Sequence, residues 1–106
     1  MYRLSKTVLV TDAVRDRIIE MDDAETADSL TAFLCSITTP LAGYHRSPDR
    51  REFREAHLAD GHHVVFRELK EPEARHYEME SGIMVAEIIT SAERLWRQVS
   101  AWGSRS

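Results

Sequence analysis

A single cysteine, Cys35, leaves the 106-residue chain without any internal disulfide. It also lacks an apolar run long enough to span a bilayer, and no charged segment followed by an apolar stretch opens it as a signal peptide would. These absences predict an intracellular, cytoplasmic protein with no membrane contact. Basic charge is scarce: 14 Lys and Arg against 18 Asp and Glu give a formal net charge of −4. A surface that grips nucleic acid needs a basic field, so nucleic acid is not expected as the main partner. There is no internal repeat and no low-complexity segment. The length suits one domain with one modest core, too small for a separate cofactor domain, and no cofactor is expected. The domain is expected to span 1–102, with Gly103 to Ser106 reading as a cloning-derived tail.

What is present begins with a hairpin. Asp60-Gly61 sits between the β-prone runs FREAHLA and HHVVFREL, and a two-residue loop of this type supplies the positive φ angles of a type I′ turn. A near-continuous apolar strand, GIMVAEIIT, follows. Upstream, Tyr2 to Val10 reads as one strand, and Thr11 or Asp12 then caps a helix carrying Val14, Ile18 and Met21 on one face. Asp22-Asp23 breaks the pattern and Thr26 opens a second amphipathic helix, with Ala27, Leu30, Phe33, Leu34 and Ile37, ending before Pro40. Leu41 to Asp49 reads as a loop, and Lys70 to Ser81 as a flexible connection. Ser91 caps a last helix with an apolar stripe of Ala92, Leu95, Trp96, Val99 and Trp102. The expected fold is α+β: a strand, two antiparallel helices, a mainly antiparallel sheet from the hairpin and a further strand, and a closing C-terminal helix. The helices are expected to cover one face of the sheet.

This order, with His62-His63-Val64-Val65-Phe66 and the run Ile83 to Ile89, resembles the small toxins of the RelE/ParE superfamily, the ParE branch more than RelE. The resembling part runs from about Phe53 to Leu95; the N-terminal half matches in element order alone. The resemblance implies a toxin neutralised by a cognate antitoxin. A ParE-like protein poisons DNA gyrase through protein contact, whereas a RelE-like one cuts mRNA on the ribosome. RelE-type chemistry relies on basic residues on the central strands and often a late tyrosine. This chain has His63 where that family tends to carry arginine, and Trp96 and Trp102 but no tyrosine in the last helix. Those departures favour binding over cutting. A nuclease of this kind would have to use His63, Arg54 and Arg67 on the hairpin. A third reading is a non-toxic regulatory or inhibitory binding module of the same fold, plasmid- or phage-related.

Adjacent strand residues point to opposite faces, so His62 and His63 do not act on one substrate. With a two-residue loop, His62 lies diagonally from His57, roughly 7 to 8 Å away, and Arg54 faces Arg67. No Cys or Asp at suitable spacing supplies a third ligand, so no metal site is expected. The histidines then read as hydrogen-bonded strand residues, or His63 as a general base. Arg46, Arg50, Arg51 and Arg54 form the one concentrated basic feature, suited to phosphates or an acidic partner surface, or to solvated pairing with Asp49 and Glu52. The tryptophan stripe is expected to pack on the sheet, with docking of a protein partner or a second copy of the chain as the alternative. Cys35 reads as an inert core residue.

Overall fold

The computed structural model of the chain describes residues 1–39, 41–47 and 52–103, the last three by their backbone alone. It is a mixed α+β fold with a six-stranded sheet in the order β1-β2-β6-β5-β4-β3. The run expected as one strand divides into β1 (Tyr2–Arg3) and β2 (Val8–Val10), which pair antiparallel across a polar Ser5-Lys6-Thr7 turn. All three residues of β2 are buried, so both of its faces are covered. Thr11 caps α1 (Asp12–Ile19) by accepting the Val14 N–H. The cap of α2 (Ala24–Ser36) is Asp23, and Thr26 donates its hydroxyl to that carboxylate at 2.6 Å instead of capping in its own right. The two helices contact each other and pack Val14, Leu30, Leu34 and Ile37 against Val64, Phe66, Val85 and Ile88 of the sheet.

Two segments expected to be irregular carry structure. Leu41 to Asp49 holds a 3-10 turn, Leu41–Gly43, and a short edge strand β3 (His45–Arg46); Pro48 and Asp49 lie outside the described residues. Lys70 to Ser81 holds α3 (Glu71–His76). The Glu73 carboxylate accepts the Lys70 N–H at 2.9 Å and both Arg67 guanidinium N–H groups at 2.7 Å, which fixes the start of this helix. Its end is a Schellman turn: Met79 N–H reaches Ala74 O, Glu78 N–H reaches Arg75 O, and Glu78 takes a φ of 55°.

The hairpin joins β4 (Arg54–His57) to β5 (His62–Glu68). Its loop has three residues, not two: Leu58 N–H donates to His62 O, Gly61 N–H donates to Leu58 O, and Gly61 holds a φ of 93°. This is a tight turn closed by a left-handed glycine, and it shifts the pairing by one residue. His57 therefore stands opposite His63, and Arg54 opposite Phe66. The expected Arg54–Arg67 and His57–His62 neighbours are not formed.

β6 (Ile83–Thr90) lies between β5, antiparallel, and β2, its parallel neighbour. The register slips where Val65 pairs with Glu87 but Phe66 with Val85, leaving Ala86 as a bulge. The extra residue keeps Val85 and Ile88 on one face although they are three apart. Beyond β2 the β6 edge has no partner strand among the described residues, and side chains take its acceptors. The Thr11 hydroxyl donates to Ala86 O at 3.1 Å and the Arg17 guanidinium to Ile88 O. Both faces of the sheet are covered, contrary to the one-sided layer expected: α3 closes a second small core of Leu9, Ala74 and Met79, and α4 (Ser91–Gly103) lies over β5 and β6. None of the helices among the described residues is long and apolar enough to cross a membrane.

Gly82 is enforced by close approach, since a β-carbon there would lie 2.6 Å from Met79 Cε and 2.9 Å from Leu69 Cδ1. Gly82→Ala is expected to cost about 1–3 kcal/mol in chemical denaturation, whereas Gly43→Ala, with nothing within 4 Å, should be near neutral. The Arg67 hydrogen bonds hold the Glu73 carboxyl down to about 2 from its usual 4.5. A depressed acid stabilises the fold above its unfolded pKa, so this contribution should fade as pH falls from about 4.5 toward 2. Thermal unfolding of wild type and Glu73→Gln across that window should show the acid-dependent difference between them shrinking.

Candidate functional site

Strand alternation places Glu55 and His57 of β4 and His63 of β5 on the sheet face beneath α4. The Glu55 side chain is only 4% exposed, and one of its oxygens, Oε1, meets three nitrogens: Arg94 Nε at 2.6 Å, His57 Nε2 at 3.2 Å and His63 Nδ1 at 3.5 Å. The His57 and His63 rings stand edge to face with centroids 4.2 Å apart. A buried carboxylate needs a cation, and Arg94, reaching down from the first turn of α4, is that cation.

The far side of His63 is fixed by Ser91. Its ring Nε2 lies 2.9 Å from Ser91 Oγ, and that hydroxyl donates to Gly61 O, also at 2.9 Å. Thr90, not Ser91, caps α4 by accepting the Glu93 N–H, which leaves the Ser91 hydroxyl free for this bridge. The Ser91 hydroxyl thus links the Gly61 carbonyl, which only accepts, to His63 Nε2, whose role as donor or acceptor depends on the ring's tautomer. The other nitrogen, Nδ1, is buried and makes no hydrogen bond among the described residues, with Glu55 Oε1 3.5 Å away. Burial, and after it the neighbouring His57, pushes the His63 pKa below its usual value. Ser91, His63 and Glu55 follow one another as a nucleophile, base and orienting carboxylate would. The Ser91 hydroxyl also reaches Gly61 O, so it would have to turn from that carbonyl to be activated by His63.

The residues expected to form a nuclease site do not converge. His63 and Arg67 share a face but are four residues apart on β5, about 13 Å at strand rise. Arg54 points to the opposite face with Phe66 and donates to Tyr44 O at 3.0 Å. Arg67 is paired with Glu73. Arg46, Arg54 and Arg67 do line one open groove together with Lys70 and Glu52, and Lys70 and Glu52 lie 3.5 Å apart across it. Arg50, Arg51 and the Trp102 side chain lie outside the described residues.

The sheet-facing side of α4 is polar. Arg94 binds Glu55, Arg97 binds Glu87 at 2.7 Å, and Glu93 binds Arg17 of α1. Its apolar stripe consequently faces away from the sheet: Leu95 is 59% exposed, Trp96 71% and Val99 45%. The expected packing of Leu95 and Trp96 on the sheet is thus overturned, because ion pairs occupy the ground between helix and strands. Cys35 is exposed as well, contrary to its expected place in the core, since α2 turns Leu30 and Leu34 inward.

Compared with protein-family models, curated proteins and solved structures, the chain matches none.

Glu55, Arg94 and the Ser91 bridge were not singled out by sequence reasoning. The signal for Glu55 and His57 was their i, i+2 spacing, which becomes a pair facing His63 only in the register of a three-residue loop. Arg94 carried no such signal, since the stripe on its helix pointed to apolar packing. Arg94→Gln is expected to lower stability by about 2–3 kcal/mol, because the buried carboxylate loses its cation. The double variant Arg94→Gln/Glu55→Gln should recover much of that loss in urea denaturation, and the cycle isolates the pair.

Proposed function

We propose that the protein is a small binding effector that acts through contact with another protein, with α4 as its docking element. The observation that carries this reading is the division of α4. Its polar side is consumed by contacts to the body of the protein, and its apolar stripe of Leu95, Trp96 and Val99 is exposed. An apolar helical stripe with a large aromatic residue is the surface that a partner's groove reads, with tryptophan a frequent anchor. The resemblance to ParE-type toxins supplies the occupant: a subunit of DNA gyrase as target, with a cognate antitoxin competing for the chain. The separation of His63 from Arg54 and Arg67 supports binding over RelE-like cleavage, as does the pairing of Arg67 with Glu73.

Expression of the chain in bacterial cells tests this. Growth arrest with accumulated gyrase–DNA cleavage complexes is expected, reduced at least tenfold by Trp96→Ser at equal protein level. Messenger RNA cleavage at ribosomal positions that disappears in His63→Ala would overturn the reading in favour of the nuclease. Normal growth at high expression would leave a non-toxic regulatory binding module.

A further inference from the structure

We propose that Glu55, His57 and His63 form a binding site for a divalent cation of the zinc class. The convergence of one ligand atom from each of these three side chains carries this inference, together with a His63 Nδ1 that is buried and without a hydrogen bond among the described residues. That nitrogen lies 3.5 Å from a Glu55 carboxylate oxygen, while Nε2 on the other side of the ring is engaged by Ser91. A nitrogen and a carboxylate oxygen this close in a buried place call for a positive centre between them, which a cation supplies. The whole His63 residue is 9% exposed, so water does not fill that role freely.

The distances suit a metal. Bonds of 2.0–2.1 Å in a tetrahedron put neighbouring ligand atoms about 3.3–3.4 Å apart. Glu55 Oε1 stands 3.2 Å from His57 Nε2 and 3.5 Å from His63 Nδ1. One ligand atom from each of the three residues lies within 4.8 Å of the other two, so His57, half exposed at the rim, has to close only a small gap. Two imidazoles and one carboxylate select zinc, cobalt or nickel over magnesium or calcium, which prefer oxygen. Three protein ligands leave a fourth position for water on the His57 side. Ser91, 2.9 Å from Nε2, is the outer partner that holds the His63 ring, a role metal-binding histidines regularly need filled.

Arg94 is the competitor. Its Nε sits 2.6 Å from the same Glu55 oxygen, so an incoming cation displaces the guanidinium from that atom. Removing the competitor therefore tightens binding, an effect that the loss of a merely structural ion pair does not produce.

Titration of the metal-free chain with Zn²⁺ by calorimetry, and with Co²⁺ by visible absorption, tests the site, with Mg²⁺ as control. One equivalent of Zn²⁺ should bind, Co²⁺ should give the bands of a four-coordinate ion, and Mg²⁺ should give nothing. His57→Ala, chosen because His57 is half exposed and its loss spares the core, should weaken Zn²⁺ at least tenfold with unchanged circular dichroism. Arg94→Gln should strengthen it at least tenfold. The proposal falls if wild type takes up no metal, even where Arg94→Gln does. It falls equally if uptake is the same in His57→Ala, which would place the ion elsewhere.

Discussion

One buried carboxylate organises the C-terminal half of this protein. Glu55 sits on a central hairpin, almost wholly out of water, and a negative charge in that position is tolerated only if cations or polar hydrogens come to it. Arg94 comes from the helix above, and two imidazoles flank the same oxygen. The helix is thereby tethered by charge, which explains how it can lie on a sheet with no buried apolar residue among its described side chains. Helices of small domains usually dock by burying their stripe. Here that stripe is turned outward and the adhesive is electrostatic. The two facts have the same origin.

The sequence was a good guide where local chemistry decides the outcome. The helical periods of α1 and α2, the Thr11 cap, the apolar β5 and β6 runs and the α+β class all follow from patterns a few residues long. It was a poor guide where one residue of register decides. Asp60-Gly61 marked the turn correctly, but a left-handed glycine serves a two-residue and a three-residue loop equally well. The choice exchanges every cross-strand neighbour. With the longer loop, His57, Glu55 and His63 become one cluster, and the like-charged pair Arg54 and Arg67 vanishes. The bulge at Ala86 was hidden for a related reason, because MVAEII reads as one unbroken buried strand. The amphipathic moment of α4 was plain, but periodicity reports only that a helix has two sides. Which side meets the sheet depends on what the sheet offers, and β4 and β6 offer Glu55 and Glu87.

Hydrogen bonding, more than residue identity, separates the chemical readings of the cluster. Serine, histidine and glutamate in succession invite a hydrolytic interpretation. The Gly61 carbonyl competes with His63 for the serine hydroxyl. A loop glycine selected for its φ angle thus reaches, through its carbonyl and Ser91, a histidine two residues along the chain.

The guarding of the β6 edge has a consequence for how partners can approach. Past Val10 the strand has no partner strand among the described residues, yet Thr11 and Arg17 already donate to the Ala86 and Ile88 carbonyls that an incoming strand would need. Extension of the sheet by a foreign chain is closed on that flank. Recognition near this corner must then be of side chains by side chains, on curved helical surface, where a partner's fit depends on shape and burial and gains nothing from main-chain pairing.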